Sequence, residues 1–179
     1  MSNPLSAPLS RRGFFASSGA AALTVGTATT AQALTGEGDA DLSYEVTHTE
    51  AEWREQLSEF DYLILRDGKT EKPQSSPLWQ ETAAGSYHCK GCGLKSFSSQ
   101  WKVVLEKGWV FFYHAEASSV LMGIDGPTPE YGSMANGYEA LTEIHCRRCG
   151  SHLGHFLIVD GIQTHCINGA ALTFEPQAA

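Results

Sequence analysis

Four of the five cysteines stand in two tight pairs, Cys89-x-x-Cys92 and Cys146-x-x-Cys149, and the fifth, Cys166, stands alone near the C-terminus. This spacing limits the fold more than any other feature of the chain. Two C-x-x-C pairs that share one metal ion must be brought together from segments separated by roughly fifty residues, and such a metal wants four thiolates in a closed tetrahedron. Each pair runs into a glycine, Gly93 and Gly150, the residue that a tight knuckle turn requires. The competing readings are two disulfides or a redox motif. A redox C-x-x-C is expected once and beside a βαβ pattern, which this chain lacks. Cys166, in Thr164-His165-Cys166-Ile167-Asn168, is left for a different task, since a nucleophile needs one activated thiolate rather than four closed ones.

The N-terminus reads as an address. Ser10-Arg11-Arg12-Gly13-Phe14-Phe15 has the twin-arginine pattern, followed by an Ala/Gly/Thr-rich run from Gly19 to Ala31 and the small-residue cleavage pattern Ala31-Gln32-Ala33. The run is too short and too rich in Gly and Thr to make a good membrane span. Residues 1–33 are therefore expected to be a cleaved export signal, with the mature protein periplasmic or secreted. Cleavage removes Arg11 and Arg12 and no acid, moving the formal charge from −8 to −10. So acidic a chain is unsuited to nucleic acid or an anionic membrane, and a monomer is expected. Proteins on this route generally fold before export, so zinc loaded in a reducing cytoplasm would protect all four thiolates. Residues 34–48 read as a flexible lead-in and 49–179 as the folded domain.

Along that domain the pattern is mostly β. Thr49-Glu50-Ala51-Glu52 is a capping box opening a short helix to about Leu57, with Trp53 and Leu57 on its inner side. Tyr62–Arg66 is either a strand or a helical turn, because periodicity does not decide it. After a polar stretch with one anchor, Trp79, strands are predicted at 86–88, 109–114, 119–124, 139–145, 155–159, 164–167 and 171–174, separated by Gly, Pro and Asn clusters such as Asp125-Gly126-Pro127. The predicted class is mainly β, an antiparallel fold with one or two short peripheral helices.

From Trp53 to Pro176 the order of motifs resembles the methionine-R-sulfoxide reductases of the MsrB type. The resemblance is carried by Leu65-Arg66, Thr70-Glu71 and Pro73, by Tyr87-His88-Cys89-Lys90-Gly91-Cys92, and by Phe97-Ser98-Ser99, Lys102 and Gly108-Trp109. It continues through Glu143-Ile144-His145-Cys146-Arg147-Arg148-Cys149, His152-Leu153-Gly154-His155 and Cys166-Ile167-Asn168, with Leu172 and Phe174. It implies a fold of two antiparallel sheets, a structural zinc on Cys89, Cys92, Cys146 and Cys149, and Cys166 as nucleophile. A sulfoxide needs its oxygen protonated or hydrogen-bonded before a thiol can reduce it. His152 and His155 suit that task and could lower the Cys166 pKa. Asn168, two residues after Cys166, is expected on the same face of a strand, bonding the oxygen or orienting a histidine. Trp109 is expected to wall the substrate methyl, with Phe112 of the same run beside it. His88, His114, His145 and His165 read as ordinary histidines.

Each of these has a blander rival. Cys166 and Trp109 would serve as core residues, Asn168-Gly169 as a turn, and the two histidines as extra metal ligands. The chain also departs from the family. Gly108-Trp109 is followed by Val110-Phe111-Phe112 rather than Pro-Ser-Phe, which makes the pocket more apolar. Thr164-His165 replace an Arg-Tyr, so the Cys166 pKa should rise unless His165 compensates. Leu141 stands where a further arginine is usual, and the segment between His155 and Cys166 is short enough to displace the nucleophile from the histidines. Lys107 occupies the place of the second, resolving cysteine of many members. Oxidised Cys166 is then expected to be reduced by an external thiol or a thioredoxin-like donor. Two other functions stay open: a related reductase of another sulfoxide or oxidised thiol, and a non-catalytic zinc-stabilised binding module.

Overall fold

In the computed structural model, residues 43–125 and 141–178 are described. The export signal, the start of the lead-in, the Gly126-Pro127 turn and the first two residues of the strand expected at 139–145 lie outside them.

Thr49 caps helix α1 (Glu50–Gln56), accepting from the Glu52 N–H while the Glu52 carboxylate accepts from the Thr49 N–H, a reciprocal arrangement that satisfies two otherwise unpaired donors. Trp53 and Leu57 turn inward and are buried. The ambiguous stretch is helical: α2 (Glu59–Leu65) starts at the Ser58 cap and buries Tyr62, Ile64 and Leu65. Nine strands follow among the described residues: β1 (Gly85–Cys89), β2 (Lys95–Ser98), β3 (Lys102–Val103), β4 (Val110–Phe112), β5 (Val120–Asp125), β6 (Leu141–Cys146), β7 (His152–Val159), β8 (Ile162–Ile167) and β9 (Leu172–Pro176).

They form two antiparallel sheets, a small one in the order β2-β1-β9 and a large one in the order β3-β4-β8-β7-β6-β5. The main core includes Tyr87 and Phe97 from the small sheet, and Phe112, Ile144, Leu153 and Ile167 from the large one. Phe97 stacks on Phe112 with ring centroids 4.4 Å apart, and Tyr87 meets Phe112 edge-on at 5.0 Å, offset and T-shaped geometries that aromatic rings prefer.

The end of the lead-in, where it is described, makes contacts with the folded domain. The Val46 N–H donates to the Arg148 carbonyl at 3.0 Å, and His48 meets Trp53 edge-on at 4.6 Å. The backbone of the second knuckle offers a free acceptor there, and the preceding chain takes it.

The short segment between β7 and β8 closes as a tight hairpin. Asp160 and Gly161 both have positive φ, 52° and 80°, the pair of angles that a two-residue turn needs to match strand twist. The register therefore runs from Val159 opposite Ile162 to His155 opposite Cys166. The shortening expected to displace the nucleophile instead leaves Cys166 directly across from a histidine.

Candidate active site and metal centre

The two C-x-x-C pairs meet. Cys89 ends β1 and Cys146 ends β6, and the turns after them fold back, with Gly93 N–H on the Cys89 carbonyl at 2.7 Å and Gly150 N–H on the Cys146 carbonyl at 2.8 Å. Both glycines have left-handed φ, 73° and 68°. The four ligand sulfurs lie within 4.8 Å of one another, with Cys89–Cys149 at 3.8 Å and Cys92–Cys146 at 3.5 Å. A tetrahedron with metal–sulfur bonds of about 2.3 Å has sulfur–sulfur edges of about 3.8 Å, so the cluster fits a metal ion. No disulfide joins these cysteines, and crowded, buried thiols that stay protonated would have no comparable reason to converge. Arg66 braces the second knuckle, donating to the Cys149 carbonyl at 3.1 Å and to Ser151 Oγ at 3.2 Å.

The second constellation crosses the large sheet. Register places Phe111 of β4 opposite Cys166 of β8, Cys166 opposite His155 of β7, and His155 opposite Glu143 of β6. Directly opposed residues share a face, so these four side chains form one row, on the face away from Phe112 and Ile167. Cys166 and His155 are both buried.

His152 should lie on the opposite face, because residues three apart on a strand point to opposite sides. A bulge prevents this. Ile144 pairs with Gly154 but His145 pairs with His152, so β7 carries one extra residue, Leu153, between two ladder positions. The extra residue reverses the alternation. Leu153 drops into the core, and His152 comes round beside His155, with ring centroids 5.1 Å apart. The His152 Nδ1–H donates to Glu143 Oε1 at 2.7 Å. That bond holds the Glu143 pKa below the usual carboxylate range. His152 Nε2 is buried and has no hydrogen-bond partner among the described residues. His155 donates from Nε2 to Asp125 Oδ2 at 2.8 Å. Burial pushes the His155 pKa down, and the Asp125 bond offsets that only in part.

Gly154, between the two histidines, is required by close approach. A Cβ there would strike the Cys166 carbonyl oxygen and come within 2.9 Å of Ile167 Cα. Gly154→Ala is expected to destabilise the fold by about 1–3 kcal/mol through overpacking and, by forcing β7 and β8 apart, to speed alkylation of the otherwise buried Cys166 by iodoacetamide. A thermal melt and an alkylation time course check this, and wild-type behaviour in both would show that the strands can separate at no cost.

Two expectations change, and one condition is settled. Phe112, expected beside the substrate, points into the core and stacks on Phe97, while Phe111 takes the place next to Cys166. The alternation of β4 decides this, since Phe112 pairs with His165 and not with Cys166. Asn168 does not continue the strand. β8 ends at Ile167, and Asn168 opens a 3-10 turn, Gly169–Ala171. Its amide is engaged by backbone, Oδ1 accepting from the Glu71 N–H at 3.0 Å and Nδ2 donating to the Leu153 carbonyl at 3.2 Å. His165 brings no charge to replace the missing arginine. It lies on the core face beside Phe97 and Phe156, bonded to the Phe112 carbonyl at 3.3 Å, and burial lowers its pKa.

Trp109 stands half-buried immediately before β4, its indole Nε1–H donating to the Glu71 carbonyl at 3.1 Å. Lys107 pairs with Asp160 at 3.1 Å. Sequence reasoning did not assign Glu143, Asp125 or Phe111 to the site. The alternation of β4 and β6 could have suggested Phe111 and Glu143, whereas nothing local pointed to Asp125.

A four-cysteine knuckle cluster joined by one sheet to a cysteine–histidine row defines a zinc-knuckle type of β protein, and the chain belongs to the SelR domain family, whose match covers residues 57–176. The chain is 36% identical over 138 residues to the peptide methionine sulfoxide reductase MsrB of Agrobacterium fabrum, a match spanning 75% of this chain and 96% of that protein. It is also 36% identical over 140 residues to the MsrB of Thiobacillus denitrificans, covering 76% of this chain and 99% of the relative.

Proposed function

We propose that this protein reduces methionine-R-sulfoxide, free or in proteins, to methionine at the expense of an external thiol. The observation that carries the reading is the row Cys166–His155–Glu143 with His152 turned onto the same face by the Leu153 bulge. Cys166 Sγ attacks the substrate sulfur while the sulfoxide oxygen takes a proton. The oxygen then passes to Sγ as sulfenic acid, and the thioether leaves. His152 is suited to pass the proton, because its Nδ1–H bond to Glu143 fixes the ring and its Nε2 lacks a protein partner among the described residues. His155, kept near neutral charge by burial, lies directly across from Sγ. One thiol condenses with the sulfenic acid, releasing water. A second thiol cleaves the mixed disulfide and restores Cys166. Lys107 stands at the resolving position, so both equivalents come from outside the chain, as from a thioredoxin-like donor.

Cys89, Cys92, Cys146 and Cys149 would hold a structural Zn2+ that fixes β1 to β6 and takes no part in the reaction. Trp109 and Phe111 are suited to wall the substrate methyl. The N-terminal twin-arginine pattern supports export after folding and a periplasmic or secreted monomer, cleaved near Ala33.

The test is turnover of separated R and S diastereomers of protein-bound methionine sulfoxide with excess dithiothreitol. Turnover of the R form alone is expected. Equal turnover of both, or none with a folded and zinc-loaded sample, would overturn the assignment and move the search to other sulfoxides.

A further inference from the structure

Glu71 is a buried carboxylate that the proposed reaction does not use, and it is only 2% exposed. It lies between α2 and the Pro77–Trp79 turn, yet nearly all its polar contacts reach distant segments. Oε1 accepts from the Gly169 N–H at 2.6 Å, and Oε2 accepts from the Ala170 N–H at 3.0 Å and from Ser75 Oγ at 3.2 Å. Its own N–H donates to Asn168 Oδ1 at 3.0 Å, and its carbonyl accepts the Trp109 indole N–H at 3.1 Å. One residue thus grips the turn that follows the Cys166 strand and, through its backbone, the tryptophan before β4. The join leaves no slack, since a Cβ on Gly169 would collide with Ser76 and sit 3.3 Å from Glu71 Oε1.

Burying a carboxylate is unfavourable, and here it pushes the pKa up despite the backbone donors. A mere staple between two loops could be made from apolar residues. What a carboxylate adds is two directed bonds to successive N–H groups, which set the orientation of the 70–75 segment and hence of the carbonyl that holds Trp109.

We infer that Glu71 is a positioning residue, holding Trp109 in a fixed place relative to Cys166 by clamping the 70–75 segment to Gly169 and Ala170. This rests on the sulfoxide-reductase reading for its kinetic consequence, though not for its geometry.

The experiment uses the full chain with Glu71→Gln, in which an amide group must face a backbone N–H, and Glu71→Asp as a shorter carboxylate. Thr49→Ala, which removes the α1 cap and touches nothing near Trp109, controls for lost stability. With Glu71→Gln, KM for methionine-R-sulfoxide is expected to rise about 10- to 100-fold while kcat changes less than about threefold, the scale of one or two charge-assisted hydrogen bonds. The Trp109 indole N–H resonance, assigned with Trp109→Phe, is expected to move upfield as its bond loosens. Glu71→Asp should fall between, and it carries the test if the glutamine variant does not fold. An unchanged KM with only a lowered Tm, as for Thr49→Ala, overturns the inference, and so does an indole resonance that stays in place. If the wild-type protein turns over no methionine sulfoxide, the functional reading fails instead, and the indole resonance alone decides the link from Glu71 to Trp109.

Discussion

Cys166→Ser is expected to abolish reduction of methionine-R-sulfoxide, a fall of at least about 10³-fold in kcat/KM, while zinc content and Tm stay close to wild type. The size follows from the chemistry, since a serine hydroxyl cannot accept the sulfoxide oxygen and the step has no other thiol to use. The small effect on the fold follows from geometry. Cys166 lies on the face of the large sheet away from the Phe97–Phe112 core, and serine differs from it by one atom of similar reach. The intact mass of oxidised wild-type protein should show one added oxygen and no new internal disulfide. Turnover by the serine variant within tenfold of wild type would remove Cys166 from the mechanism, and an internal bridge would mean that a knuckle cysteine is available to react.

Cys146→Ser is expected to have the opposite signature, loss of the metal and of the fold together. Cys146 joins the end of β6 to the first knuckle through a cluster whose sulfurs approach to 3.5 Å. Structural zinc sites contribute about 10–16 kcal/mol to folding in small domains, against a total stability of about 5–15 kcal/mol for a whole domain, so a three-sulfur site cannot be expected to hold the two sheets in place. Elemental analysis should show less than one zinc per chain, and circular dichroism a noncooperative melt. A cooperative melt at the wild-type temperature without bound zinc would show that the two-sheet core suffices and that the cysteine cluster is not structural.

The two outcomes separate the two uses of sulfur that the cysteine spacing suggested. That spacing was legible because a C-x-x-C knuckle is local, with two thiols and a glycine within five residues. The α1 cap was legible for the same reason, as Thr49 and Glu52 need only each other. The ambiguous 62–66 stretch was not, because one apolar run suits a helix or a buried strand equally, and its choice rests on Tyr62, Ile64 and Leu65 packing inward. β2 and β3 escaped notice. Lys95–Ser98 has one aromatic among polar residues, and Lys102–Val103 is two residues long, so each owes its conformation to the neighbouring strand.

The sequence by itself determined which atoms could do chemistry: four thiols for a metal, a fifth for substrate, and two histidines within reach of one strand. Only the tertiary structure decided how they face. Residues three apart on a regular strand diverge, and Leu153 as an unpaired extra residue is what turns His152 to the side of His155 and Cys166. The carboxylates Glu143, Asp125 and Glu71 gained their parts from partners 9 to 99 residues away, and His165 falls on the core face because successive residues of a strand alternate sides. Register and bulges depend on cross-strand pairing, which no local window of the chain contains.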